Sequence, residues 1–306
     1  MENIYKELEQ KRKELHDQYD KYRKKAIPFV ISLLVGIALF IISMNNDGDV
    51  FSLFGIIFGF VGFIGMGIYF GKASKFKSDF SKLVKSEFVD KILSEQFQQY
   101  EYHQHNHVSI GKINDAGLVR RPDRYRGEDL IIGSYNGVSF SVSDITLEEK
   151  HVTRTKNGTT VTYVTYFKGR WYTYKFPKKF NQTLKIVEGG NIHTTTQGLR
   201  KYETEMIEFN KKFSIFASDE QFFFYIVNPY LIERLMMLEN AHRGRIYYCI
   251  KNDELHIGIN DGSDSLEVTF NKQINAESFK RFTEDIVLIK NIIEEFRLDN
   301  VKFKNS

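Results

Sequence analysis

The sequence predicts an α+β protein: an N-terminal helix, a transmembrane helical hairpin, an amphipathic stalk helix, then a cytosolic domain of antiparallel strands with a C-terminal helix. Three observations predict it. Two charge-free apolar runs, Ile27–Met44 and Val50–Phe70, flank the short polar stretch NNDGD. From Glu101 onward, short β-rich runs are punctuated by turn residues, without the regular strand–helix alternation of a doubly wound sheet. Near the end, Phe279, Phe282, Ile286, Ile289 and Ile293 recur at helical spacing.

The elements divide the chain into 1–26 (cytosolic helix), 27–44 (first span), 45–49 (external turn), 50–70 (second span), 71–100 (juxtamembrane helix) and 101–306 (cytosolic domain). In the first segment Tyr5, Leu8, Arg12, Leu15, Tyr19, Tyr22 and Ala26 follow a 3-4 spacing, a coiled-coil-like seam that only Arg12 interrupts. The first apolar run reaches about 27 Å as a helix and the second about 32 Å, against a hydrocarbon core of about 30 Å. A helix supplies its own backbone hydrogen bonds in lipid, so two helical spans follow. An acid-rich leader and the lack of a small-x-small site after Met44 argue against a cleaved signal sequence. Lys21, Arg23, Lys24 and Lys25 precede the first span, Lys72, Lys75 and Lys77 follow the second, and the connecting turn has no cation. Positive flanks stay inside, so a cell-membrane protein with both termini cytoplasmic is expected.

Gly55, Gly59 and Gly62 give the second span a small-residue side suited to close helix packing, within the hairpin or between copies in a homo-oligomer. Neither span holds an ionisable residue, which argues against a proton or ion path. Beyond it, Phe76, Phe80, Leu83, Val84, Phe88, Ile92 and Leu93 form a helical stripe. This helix either pairs with the N-terminal helix as a stalk or lies on the inner leaflet with its lysines against anionic lipid.

In the last segment Asn136-Gly137, Asn157-Gly158 and Asn252-Asp253 mark hairpin turns between β-rich arms, predicting an antiparallel meander. Asn228 and Pro229 read as the cap and first residue of a helix. Gly189-Gly190 marks a break that can separate two lobes. At 42% hydrophobic and 15% aromatic residues, disorder is excluded. The net charge of +4 is mild, and basic residues mostly alternate with acidic ones, so no nucleic-acid partner is expected. The single cysteine, Cys249, reads as a buried apolar residue of a strand and excludes an internal disulfide.

Three blocks, YRGEDLIIGSYNGVSFSVSDI, VTYFKGRWYTYKFPKKF and FSIFASDEQFFFYIVNPYLIERLMML, resemble a bacterial family of uncharacterised membrane proteins, the domain of unknown function 3137. The likeness covers roughly residues 70 to 300. It implies two nearby spans followed by a cytosolic α+β domain, and it transfers no site residues because the family has no established activity. This chain departs from the family in a Thr-rich hairpin at Thr153–Thr165 and a polar insert around Asn191–Gln197.

Two stretches carry candidate chemistry. His103, His105 and His107 in HQHNH share one face if the segment is a strand, and histidines so placed can ligate a metal ion. Read without function, the tract is a polar connector. Arg120, Arg121, Arg124 and Arg126 can contact phosphate or lipid, or form ion pairs with Asp123, Glu128 and Asp129. P-loop, dinucleotide and nucleophile-elbow motifs are lacking, so no cofactor and no catalytic residue is expected. The favoured reading is a membrane-anchored binding module for an unknown protein or small ligand, in contact with membrane lipids. The alternatives are a metal enzyme at His103–His107 and an oligomeric channel or transport accessory.

Overall fold

The computed structural model describes residues 2–45, 49–156, 158–189, 193–242, 244–264, 266 and 269–304; side chains at 2, 45, 49, 276, 278, 279 and 281 fall outside the description. Most of the turn 45–49, together with Asn157, Gly190 and the first residues of the 191–197 insert, therefore lies outside the described residues. Two compact units divide the chain, Met1–Val89 with Glu267–Arg281, and Asp90–Leu266 with Phe282–Ser306.

The first unit is a pair of long helices. Helix α1, Glu2–Asn45, runs unbroken through Pro28, merging the N-terminal seam and the first apolar run; α2 spans Asp49–Leu83 and continues through a π-helical turn, Val84–Phe88. Facing positions descend along α1 as they rise along α2: Phe40 meets Gly55, Gly36 meets Gly59, Leu33 meets Gly62, and Tyr22 meets Tyr69 and Phe76. The pairing is antiparallel and extends past the apolar runs, so the N-terminal and post-span segments pack on each other. Both helices are long and apolar enough to cross a membrane, and their apolar windows are only 6% and 17% buried within the protein.

The segment Glu267–Arg281 completes this unit. Phe270 inserts its ring beside His16, Tyr19 and Phe80 at centroid distances of 5.4, 5.6 and 5.4 Å. The Arg12 that interrupts the seam is buried there. Its Nε and Nη2 donate to the Glu9 carboxylate at 2.8 and 2.9 Å, and its Nη1 donates to the Phe270 carbonyl at 3.0 Å. Glu9 also accepts from the Ile274 amide at 2.8 Å.

The second unit is built on an antiparallel sheet. Its strands are β1 Gln99–His103, β2 Arg124–Tyr135, β3 Val138–Thr155, β4 Gly158–Lys175, β5 Thr183–Glu188, β6 Arg200–Tyr202, β7 Phe213–Ala217, β8 Arg245–Lys251 and β9 Glu254–Asn260. Their order is β1-β2-β3-β4-β9-β8-β5-β7-β6, and every pairing is antiparallel. Strands on either side of Gly189 belong to this one sheet, with β5 paired to both β7 and β8, so no lobe boundary falls there. Helices are α3 Val89–Gln96, α4 Ile110–Ala116, α5 Ile207–Lys212, α6 Glu220–Ile226, α7 Pro229–Ala241 and α8 Ala276–Glu295.

Strand alternation sends neighbouring side chains to opposite faces. Tyr174 on β4 donates its hydroxyl to the Ile289 carbonyl of α8 at 3.0 Å, and Tyr248 on β8 stacks on Phe296. On the opposite face Trp171, Phe167, Tyr247 and Cys249 join Ile113, Ala116 and Leu118 in one buried cluster. Cys249 is fully buried, and burial pushes its thiol up to about 12, so it is an inert core residue.

Asn136 and Gly137 both adopt positive φ, 49° and 79°, as their tight turn requires; Asn252 does the same at 56° between β8 and β9. Asn228 caps α7 by accepting from the Leu231 amide at 2.9 Å, with Pro229 at the first position. The β3–β4 ribbon outruns the sheet. From Lys150 to Val164 both of its faces are largely exposed, leaving Val152, Val161 and Val164 in contact with solvent.

Candidate functional site

Two features of the second unit stand out, a polar cavity floored by carboxylates and an apolar groove between helices. The cavity begins with a β-bulge. The β2–β3 register shifts between Glu128 and Ile131, and Asp129 takes a φ of 59°, a conformation uncommon for residues other than glycine. The bulge buries the Asp129 side chain completely, where its Oδ1 accepts from the Tyr102 hydroxyl at 2.5 Å. Burial, then this hydrogen bond, holds the Tyr102 hydroxyl far above its ordinary range.

On β3, Asp144 lies opposite Arg170 of β4 in register and accepts from its Nε at 2.9 Å. The guanidinium is 2% exposed; burial opposes its charge, but the facing Asp144 carboxylate outweighs that and keeps it protonated. Asp264, on the loop after β9, brings a third carboxylate: ligand oxygens of Asp129, Asp144 and Asp264 lie within 4.8 Å of one another. Asp285 of α8, another neighbour of Arg170, titrates near 6, chiefly because it is buried, with Arg170 pulling the other way.

The cavity over Asp144 and Asp264 has a volume of about 760 Å³, and His105, His107, Arg126 and Lys168 are among its walls. The histidine tract and one arginine of the basic stretch thus reach the same place, but not as a shared strand face. Strand β1 ends at His103, which is half-buried and bonds Glu101 at 3.2 Å, and a turn follows. His107 instead packs edge-on against Tyr125, 4.6 Å between centroids. That approach requires Gly127, where a Cβ would lie 2.7 Å from the His107 Cβ and 2.6 Å from the Asp144 carbonyl. Among the described residues, the ligand atoms that converge come from the three aspartates rather than the histidines.

The basic stretch forms ion pairs whose acids come from β3. Arg120 pairs with Glu149; Arg124 and Arg126 both pair with Glu148; Arg124 also lies over the Tyr163 ring at 3.6 Å. Arg121 is exposed, as are Lys72, Lys75 and Lys77 on α2. In the first unit, a Cβ on Gly36 would lie 2.3 Å from the Gly59 amide nitrogen, one on Gly62 2.4 Å from that of Leu33, and one on Gly55 2.9 Å from that of Phe40. Gly59 differs, since its own Cβ would meet nothing within 4 Å. It receives the close approach of Gly36 through its backbone.

The groove, about 920 Å³, runs between the 203–206 connection and helices α6 and α7. Asp219 caps α6 by accepting from the Phe222 amide at 2.7 Å, fixing the helix that carries Phe223 and Phe224. Asn210 braces the rim loop, accepting from the Thr204 amide at 3.0 Å and donating to the Thr204 carbonyl at 2.7 Å. Phe223 stacks on Tyr202, while Phe224 is 65% exposed, Met237 48% and Met206 46%. Glu203, Glu205 and Glu233 line the groove; its described lining contains no lysine or arginine.

Sequence reasoning missed both features. The three aspartates come from a bulge, a strand and a loop, at no motif spacing. A run of three phenylalanines at 222–224 and paired methionines at 236–237 were the only signal for the groove.

No curated protein matches this chain. Among solved structures, the crystal structure of the mycobacterial trehalose monomycolate transport factor A, TtfA, shows 7% identity over 70% of this chain and 96% of its own, with a TM-score of 0.39. Residues 165–298 match the model of the family described as "Protein of unknown function (DUF3137)", the family that the sequence blocks resemble.

Proposed function

We propose that the protein is a membrane-anchored docking module: the α1–α2 hairpin sits in the bilayer, the sheet-bearing unit lies in the cytosol, and the α6–α7 groove receives a cationic amphipathic helix of a partner protein. The groove carries this reading. Open apolar patches on a folded domain mark binding surfaces, and methionines let one such surface adapt to a helix face. Phe224, Met206 and Met237 supply that surface. Glu203, Glu205 and Glu233 line it, Glu203 and Glu233 also pairing with Lys201 and Arg234 outside the lining, and they favour a cationic occupant over an anionic lipid headgroup.

The anchor is supported by exposure. Leu34, Phe60 and Phe63 are 61%, 66% and 64% exposed, as lipid-facing residues are and core residues of a soluble helix are not. The cationic collars give the orientation, and Lys72, Lys75 and Lys77 then meet anionic headgroups of the inner leaflet.

The test uses the full chain in nanodiscs with two labelled helical peptides sharing one leucine face, one with lysines opposite it and one with glutamates. The lysine peptide should bind saturably, weaken with added salt, and lose at least about tenfold affinity in Phe224→Asp. Equal binding of both peptides, or binding untouched by Phe224→Asp, overturns the reading. So does self-association of the full chain that Phe224→Asp abolishes, since the groove would then belong to a second copy.

A further inference from the structure

We propose that Asp129, Asp144 and Asp264 form a site for a hard divalent cation, and that the cavity above it admits an oxyanion of the phosphate class as a further ligand of that cation. The site is separate from the α6–α7 groove and independent of what the groove binds.

Two observations carry it. The first is the carboxylate geometry. Oxygens from three side chains converge within 4.8 Å of one another, a separation that oxygen ligands around one magnesium, manganese or calcium ion can adopt. All the donors are carboxylate oxygens, which suits such cations and not the nitrogen and sulfur preference of zinc. Asp129 is held there at a positive φ and fully buried, its Oδ1 accepting from the Tyr102 hydroxyl.

The second observation is independent. Arg170 is 98% removed from solvent and bonds Asp144 through Nε, yet its Nη2 has no hydrogen-bond partner among the described residues. Nε–H and Nη2 lie on the same edge of a guanidinium, and Nη1, on the other, donates to the Asp285 carbonyl at 3.3 Å. Nη2 is therefore directed to the side that holds the Asp144 carboxylate. A donor waiting beside a cation site calls for an acceptor bound to the cation, and a phosphate oxygen fits. Lys168 in the wall of the same cavity adds positive charge on the solvent side, where the rest of such an anion would sit, while Arg126 beside it is paired with Glu148, which lines the cavity with Glu128. A cation on carboxylates, with the Arg170 donor beside it and Lys168 in the cavity wall, can hold a metal-bridged phosphate.

The experiment titrates Mn²⁺, with no other ligand, into the full chain in nanodiscs, read by electron paramagnetic resonance and by calorimetry. One saturable site is expected, competed by Mg²⁺ or Ca²⁺. Asp264→Asn, on a loop, and Asp144→Asn should each weaken it by at least about tenfold, with metal-free melting curves showing that both variants are folded. Adding inorganic phosphate should tighten Mn²⁺ binding in the native chain and not in Lys168→Ala, which keeps its affinity for Mn²⁺ alone. A folded native chain without a saturable Mn²⁺ site, or a site that Asp264→Asn leaves intact, overturns the proposal. Phosphate without effect on Mn²⁺ affinity removes its oxyanion part.

Discussion

Arg12 shows how one residue can look like a defect in a pattern and be a fastening. On the seam Leu8, Arg12, Leu15, it is the single charge, yet it is 7% exposed because Glu9 and the Phe270 carbonyl take its donors. A buried carboxylate left without its guanidinium is strongly destabilising, whereas replacing both charges with apolar side chains often is not. Arg12→Leu should therefore lower stability by about 3 kcal/mol, and adding Glu9→Leu should recover most of that loss. Thermal melts of the full chain in detergent read both, and proteolysis within 267–281 should rise in the single variant. Glu9 lies three positions away on the same helix, but Phe270 lies 258 away, so no window of sequence could show what buries the pair. Glu254 gives a pH signature. Its bond from His256 and its pairing with Lys112 hold the carboxyl down near 2, below the ordinary 4.5. A depressed carboxyl stabilises the fold above pH 4.5 and loses that contribution as pH falls from 4.5 toward 2. Glu254→Gln should flatten this acid limb and remove about 2 kcal/mol at neutral pH, measured by denaturant titration at several pH values.

Among elements, the hairpin tests whether small residues act through contact or through spacing. Gly36 and Gly62 face backbone on the opposite helix, and Gly59 has open space where a side chain would stand. Gly36→Ala and Gly62→Ala should lower the melting temperature of the full chain in nanodiscs, since neither neighbour is a side-chain end that can swing aside; Gly59→Ala should leave it unchanged. The GxxxG spacing was legible in the sequence, but Gly36, the contact on the other helix, was not, because periodicity within one span says nothing about its partner's register. The β3–β4 ribbon is a second case. Its hairpin signal was readable at Asn157-Gly158 and its length was not, since Thr and Val alternate equally well on a buried and on a free ribbon. With both faces of Lys150–Val164 largely in solvent, replacing that stretch by a two-residue turn should shift the melting temperature by less than about 2 °C. A larger drop would show that the ribbon is part of the folded core.

At the scale of the molecule, what could be read early was whatever depends on local periodicity: two apolar runs, the capped α7, the turns at 136–137 and 252–253, and an antiparallel α+β unit. What could not be read depends on tertiary placement. The Asp129 bulge, the buried Arg170–Asp144 pair and the apolar floor between α6 and α7 use residues whose types are ordinary for a strand or a helix. The proposed function joins the two kinds of information, an anchor from the sequence and a groove from the fold, and it requires the groove-bearing unit to lie on the cytosolic side. Cysteine labelling of intact cells with a membrane-impermeant maleimide tests that most directly, in chains carrying Lys150→Cys or Asp47→Cys, the native Cys249 being fully buried. The account predicts that Asp47→Cys is labelled from outside while Lys150→Cys reacts only after the membrane is opened. Labelling of Lys150→Cys in intact cells would contradict it.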